Sequence, residues 1–203
     1  MFGFGAIMKI FTLEHHPVSY FADFVLYPVV IVGGVVVLFV KTTGVDWFLL
    51  LSAAVVGFAV WTLVEYILHR YVLHGVQPFK RWHEEHHQRP FALIGTSTLA
   101  SLTLFVVLVF VPLSFTLGRW LSLAATLGLV SGYLLYVVVH HAAHHWRAAR
   151  GTWLYELKVA HARHHMKGVQ GWYGVTTTFW DRVFGTDPSG RPGADTNTPP
   201  PGR

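Results

Sequence analysis

The 203-residue chain contains no cysteine. That excludes a disulfide framework and any thiolate-held zinc or iron–sulfur site. It also leaves the redox compartment unmarked. Charge is scarce too: Asp, Glu, Lys and Arg make up 12% of the residues, against 53% hydrophobic ones. With a mean hydropathy of +0.45, the chain is too apolar for an ordinary soluble domain, and its length fits a single domain. The net charge is +5, but the basic residues flank apolar spans and form no stripe with a nucleic-acid-reading motif. No nucleic-acid partner is expected. Near the N-terminus no long apolar run leads into a small-residue cleavage site. Residues 1–22 therefore read as an interfacial segment and not as a cleaved signal peptide.

Apolar runs are abundant. Phe24–Val40 carries no charge between Asp23 and Lys41, and Trp47–Val64 carries none before Glu65. Pro90–Gly118 is uncharged as well, Arg119 interrupts, and Trp120–Val139 follows. As one continuous helix, Pro90 to Val139 would extend about 73 Å, against a hydrocarbon core of about 30 Å. It must cross twice, turning near Leu117–Arg119. Pro112 lies late in the first crossing, where a break is tolerable. The expected fold is an all-α integral membrane protein with four transmembrane helices. Residues 23–187 would form the membrane domain, and the Pro/Gly-rich stretch 188–203 a disordered tail.

Histidine is the other abundance, with fourteen in the chain. Four clusters stand out: His69 and His74; His83, His86 and His87; His140, His141, His144 and His145; His161, His164 and His165. His15 and His16 fall outside them and are not expected to bind metal. The second and fourth clusters share His-x2-His-His spacing. Positions i, i+3 and i+4 are neighbours on a helix face, so each triplet is expected to aim three imidazoles at one coordination sphere. His69 and His74 would stand about 140° apart on an ideal helix and converge only across a cleft or at a distorted helix end. Such repeated clustering marks a metal site. About ten clustered histidines exceed the four ligands of a structural zinc or the three of a catalytic one, so two metals are expected. Imidazole suits zinc, copper, iron and nickel, which leaves the metal open. Few carboxylates lie nearby, unlike the soluble bundles in which Glu and Glu-x-x-His bind two irons.

Two crossings between His87 and His140 return the chain to the side it left, so all four clusters can meet on one face. Arg70, Lys80, Arg81 and Arg89 lie in the first histidine loop. Arg147, Arg150, Lys158, Arg163, Lys167 and Arg182 follow the fourth span, while Lys41 and Arg119 lie opposite. The positive-inside tendency places a histidine-rich helical cap, its dimetal site and both termini on the cytoplasmic side. Trp82, Trp146 and Trp153 suit an interfacial belt.

WTLVEYILHRYVLH, WHEEHH, GYLLYVVVHHAAHH, AHARHH and FWDRVFGT follow one another from about Trp61 to Thr186. Together they resemble the fatty acid hydroxylase/sterol desaturase superfamily, and most of all its fatty acid 2-hydroxylases. The resemblance implies an integral membrane, non-haem di-iron monooxygenase that uses O2 and electrons to hydroxylate a lipid chain. Zinc can replace the two irons in purified protein of this kind. Carried over by motif, the implied ligands are His69, His74, His83, His86, His87, His140, His144, His161, His164 and His165. His141 and His145 are extra. Bacterial carotene hydroxylases resemble the first two boxes and use a His-x4-His third box, which His140 and His145 would satisfy; the GYLLY lead-in favours His140 and His144.

The implied substrate is a fatty acid or acyl lipid, hydroxylated at position 2, with carotenoids and sterols as alternatives within the superfamily. Catalysis would be metal-centred. Glu65, one helical turn before His69, and Asp181 are expected to support the metal-binding groups through hydrogen bonds. Eukaryotic relatives often carry a fused cytochrome b5 domain, and no stretch outside the membrane domain is long enough for one. A separate cytochrome b5-like or ferredoxin-type electron donor is expected, with the basic face as its docking surface. The non-enzyme alternatives are a membrane metal transporter and a metal-binding scaffold. A transporter would hold its ionisable ligands near the bilayer midplane, whereas here they follow the spans.

Overall fold

The structure is a computed structural model and describes residues 14–44 and 46–188. Most of the expected N-terminal interfacial segment and nearly all of the expected tail lie outside these residues. Four helices are long and apolar enough to cross a membrane: α1 (Pro17–Lys41), α2 (Trp47–Leu73), α4 (Thr98–Leu117) and α5 (Arg119–His145). Three shorter ones are α3 (Phe79–Gln88), α6 (Trp153–His164) and α7 (Phe179–Val183). The four expected spans are therefore present. The first begins at Pro17, ahead of the uncharged run, because His16 caps it. The Val18 N–H donates to His16 Nδ1 at 3.3 Å, and Pro17 occupies the first turn, where its missing N–H costs nothing. The turn between α4 and α5 falls on Gly118, whose φ of 72° suits glycine.

At 27 residues each, α2 and α5 are about 40 Å long. A hydrocarbon core of about 30 Å cannot contain them, so their C-terminal turns emerge and carry His69, His140 and His144. α5 is the hub: 56% of its most apolar stretch is buried inside the protein, against 17% in each of the other three spans. Ala124, Gly128 and Gly132 place a small residue every fourth position along it. A methyl group on Gly128 would lie 1.9 Å from the Ala54 carbonyl oxygen, and one on Gly57 would lie 2.1 Å from that of Ala125. α2 and α5 thus pack backbone against backbone, as small residues permit in membranes. This contact sets the two histidine-bearing helix ends side by side.

Beneath them Tyr27, Trp61, Phe105, Leu129, Val130 and Tyr133 form a core. Tyr27 donates to Ser101 Oγ at 2.7 Å and Tyr133 to Asp23 Oδ2 at 3.2 Å, tying α1 to α4 and α5. Above, Lys158 of α6 donates to the Ala143 and Trp146 carbonyls at 2.8 and 2.7 Å. It closes the open carbonyl end of α5 and docks α6 there. A bridge between Glu14 and Ile94, with Arg89 paired to Glu14 and Glu85, fastens the chain entering α1 to the α3–α4 connection. Trp146 and Trp153 are exposed, as a belt requires; Trp82 instead lines a cavity.

Candidate metal centre

The cap gathers the histidines into two groups. His69, His74, His83, His87 and His164 form the first, and His86, His144, His161 and His165 the second; within each, one nitrogen per ring lies within 4.8 Å of the others. His140 adjoins the second group, its Nε2 3.0 Å from that of His86. The expectation that each His-x2-His-His triplet serves one coordination sphere is corrected. His83 and His87 turn to the first group while His86 turns to the second; His161 and His165 turn to the second while His164 turns to the first. On a helix, i and i+4 lie about 40° apart, whereas i+3 and i+4 lie about 100° apart. A helix running between two centres therefore sends the i, i+4 pair to one and the odd residue to the other. The groups meet where His87 and His165 stack at 4.1 Å.

His69 and His74 converge at a distorted helix end. The last six residues of α2, Leu68–Leu73, are π-helical, and the i→i+5 repeat of a π-helix aligns residues five apart. The two rings come within 5.2 Å. His140 and His144 need no such device, because α5 stays regular to His145 and they lie one turn apart. His141 and His145 face away from the clusters. His141 Nδ1 lies 3.1 Å from the Tyr20 hydroxyl, and the two rings stack on each other at 4.4 Å.

Glu65 and Asp181 act on the first group at one remove. Glu65 accepts from the Val175 and Thr176 N–H groups and from the Thr176 hydroxyl. Asp181 accepts from the Tyr173 and Gly174 N–H groups at 2.8 Å each, and from Thr186 at 2.7 Å. Both carboxyls pin the strap 171–176, and that strap supplies the acceptors: His69 Nδ1 meets the Tyr173 carbonyl at 2.6 Å and His164 Nδ1 that of Gly171 at 2.8 Å. Backbone carbonyls commonly orient metal-binding imidazoles in this way. Sequence reasoning missed these two carbonyls, because no side chain announces them. The available signal was the pair of glycines around Trp172 and Tyr173. Gly171 has φ 133° and Trp172 φ 51°, a bend that few residue pairs adopt. Also missed was Tyr136, which stacks parallel to His140 at 5.6 Å.

In the second group, the buried Nδ1 atoms of His86, His161 and His165 have no hydrogen-bond partner. Across both groups Nε2 atoms face Nε2 atoms at 2.8–3.1 Å. A neutral imidazole offers one donor and one acceptor, so several converging rings cannot all pair with one another. Burial, with the neighbouring rings second, pushes His86 and His87 down to about 4. Burial also lowers His164 to about 3, and His83, His161 and His165 shift the same way. The rings are neutral at pH 7, the form that binds a metal. The donor set fits two divalent cations.

A cavity of about 390 Å³ reaches this site. His83, His86 and His140 line one part of its wall, and Leu73, Phe79, Trp82, Ile94, Leu104 and Val137 make much of the remainder apolar.

Several known proteins are similar to this chain. The fatty acid hydroxylase family model matches residues 54–186. The ceramide very long chain fatty acid hydroxylase scs7 of Schizosaccharomyces pombe is 29% identical over 158 residues, which is 71% of this chain and 45% of that protein. The dihydroceramide fatty acyl 2-hydroxylase FAH2 of Arabidopsis thaliana is 32% identical over 148 residues, 65% of this chain and 59% of that one. For the fatty acid 2-hydroxylase of Rattus norvegicus the identity is 31% over 144 residues, 65% of this chain and 38% of that one. The chain therefore spans roughly half, or less, of these relatives. A solved structure of full-length scs7p, with only its hydroxylase domain visible, superposes with a TM-score of 0.71 at 26% identity, covering 86% of this chain and 67% of that one. The family match takes in all four histidine clusters, the strap and α7, well over half of the chain, and on that ground the protein belongs to the fatty acid hydroxylase family.

Proposed function

We propose that the chain is a membrane-bound, O2-dependent di-iron hydroxylase acting on the acyl chain of a fatty acid or acyl lipid, at position 2. The observation that carries this reading is the apolar cavity ending on rings of both histidine groups. His69, His74, His83, His87 and His164 would hold one iron, and His86, His140, His144, His161 and His165 the other. Two irons bound there would supply the oxidising power that an unactivated C–H bond demands. The chain's own residues do the rest. The Tyr173 and Gly171 carbonyls fix two of the rings, and the apolar wall excludes water and lays an acyl chain against the site. No side chain acts as a nucleophile. Electrons come from a redox protein, for which the basic residues at the histidine end form a docking face.

That end is cytoplasmic by the excess of Lys and Arg there over Lys41 and Arg119 at the other. Single cysteines report it cleanly in a chain that has none. An Arg119→Cys variant labelled from the same side as a Lys80→Cys variant would refute the four-span topology. Placement of the histidines at helix ends and not at the midplane argues against a transporter.

Lipid profiles of a host with and without the gene, and with the His86→Ala variant, test the activity. Hydroxylated acyl lipids should appear with the intact chain alone. Iron-loaded protein that oxygenates no lipid, given O2 and a reduced donor, would favour the scaffold reading. Anaerobically purified active protein should contain two irons per chain, and full activity with one tightly held zinc would overturn the di-iron assignment. Zinc in an aerobically overexpressed sample carries no such weight, since zinc lies above Fe(II) in general affinity order.

A further inference from the structure

Two stretches of chain meet across the cavity. His15 and Tyr20 line it from the start of α1, and Ile94, Gly95, Thr96 and Ser97 line it from the α3–α4 connection. Two unlike fastenings hold these flanks together. Deep in the span, the buried Tyr27 hydroxyl donates to Ser101 Oγ at 2.7 Å, and its ring packs edge-on against Phe105 at 6.3 Å. At the rim the hold is polar. The His15 backbone N–H donates to the Leu93 carbonyl and His15 Nε2 to that of Gly95, at 2.9 Å each. Glu14 bridges Ile94 and pairs with Arg89, both charged side chains being half-exposed. Exposed ion pairs contribute little, because water competes for both charges.

α1 is also jointed just below this rim. The helical turn Pro17–Tyr20 ends at Phe21, and Ala22–Lys41 then resumes the helix. At the joint the Phe24 N–H donates to the Phe21 carbonyl at 3.1 Å, a tightened i→i+3 turn. Residues 14–20 thus form a short piece that can swing at Phe21 without disturbing the Tyr27 anchor. Their inward attachment is the Tyr20 hydroxyl, 3.1 Å from His141 Nδ1. Segments held by a few exposed polar contacts at the end of an element are the ones that open first. The family model begins at residue 54, so the family assignment does not account for this piece.

We propose that residues 14–20 are a lid on the cavity, hinged at Phe21 and latched by Glu14 and His15 onto Arg89 and residues 93–95. Opening admits a lipid chain between α1 and α4; closing shuts out water while the chain lies against the site. Val18, 76% exposed on the outer side of the lid, keeps it in apolar surroundings as it moves. The inference deepens the hydroxylase reading and rests on it, since it takes the cavity to be a lipid site.

The test is to lock the lid. Facing residues of an antiparallel bridge lie about 4.5–5.5 Å apart, a separation that a disulfide spans, and the chain has no cysteine to interfere. A Glu14→Cys, Ile94→Cys double variant of the metal-loaded full chain in detergent is compared oxidised and reduced. The probe is dibromostearate, whose bromines quench tryptophan, and Trp82 lines the cavity. Stopped-flow fluorescence follows its association, and its displacement by excess stearate. Oxidation should slow both rates by about tenfold or more and leave the dissociation constant unchanged. Reduction should restore both rates. Arg89→Ala should quicken both by up to about fivefold, the worth of one exposed ion pair. Equal rates in the oxidised and reduced double variant overturn the proposal. Thermal midpoint and metal content report whether each variant is folded. Should the double variant fail to fold or to form its disulfide, Arg89→Ala combined with His15→Ala decides, and rates unchanged from the intact protein are equally fatal. Intact protein that binds no dibromostearate would sink the lipid reading of the cavity and the lid with it; binding that the lock leaves unaltered sinks the lid alone.

Discussion

The first histidine group draws His69 and His74 from the end of α2, five residues apart on a π-helical turn; the second draws His144 from the end of α5, a regular helix on which His140 adjoins the group one turn earlier. Each then takes an i, i+4 pair from one cap helix and a single ring from the other. A similar set of rings is thus assembled twice, the second counting His140 beside its four, and the backbone adjusts wherever the spacing differs. The groups part again outside the rings. Backbone carbonyls of a strap pinned by two carboxyls hold His69 and His164, while three buried Nδ1 atoms of the second group meet nothing. Since partners of this kind are worth about 10–100-fold in metal affinity, the first group is the better prepared site.

Removing rings gives the largest effect. His140→Ala and His144→Ala should abolish activity and lower metal from two per chain towards one. His141→Ala and His145→Ala should keep both metals and most of the turnover. If His145→Ala loses metal while His144→Ala keeps it, the His-x4-His register is the correct one.

Next comes the strap. Asp181→Asn puts a donor against one of the two backbone N–H groups from which the carboxyl accepts, and should weaken the first site by about 10–100-fold. In the intact protein, mild chelation should strip the second site first and leave close to one metal. A His144→Ala variant should still hold that metal under the same treatment, and a His69→Ala variant should not. The reverse pattern would break the asymmetry.

Acidity acts on both groups at once. An unfolded histidine titrates near 6.5, whereas His86 and His87 in the fold sit at about 4 and His164 at about 3. Between these values the unfolded chain binds protons that the folded one refuses, so folding stability falls as pH falls. Each such group contributes up to about 1.4 kcal/mol per pH unit. Metal-free protein should therefore lose thermal stability steeply between pH 7 and pH 5, as scanning calorimetry would show. A flat profile would mean that the rings are not buried together.

The smallest effect is at the joint between α5 and α6. Lys158→Met removes the cap on α5 and should cost about 1 kcal/mol in unfolding free energy, with a slight loosening of the second metal. Loss from the first site instead would show that the two groups are not separable.

Periodicity and composition alone determined four spans, a return crossing with its turn at Gly118, and four histidine clusters on one end. Those are local or additive properties: apolar length against bilayer thickness, and the count of helix between two marked points. Glu65 and Asp181 were legible as carboxyls near the site, and the spacing of His69 and His74, which an ideal helix cannot serve, left a cleft or a distorted helix end, of which the structure has the second. Only tertiary structure decided the sharing of rings between groups. The 100° between i+3 and i+4 permits either arrangement, and what lies on each side of α3 and α6 selects one. It alone also decided that the carboxyls work through the Tyr173 and Gly171 carbonyls, since every residue carries a carbonyl and the sequence cannot mark which ones are aimed at a ring. Asp23 reads in sequence as the charge that bounds an apolar run. It became a cavity residue only when α1 packed against Tyr133, because burial belongs to the assembled helices and not to any one of them.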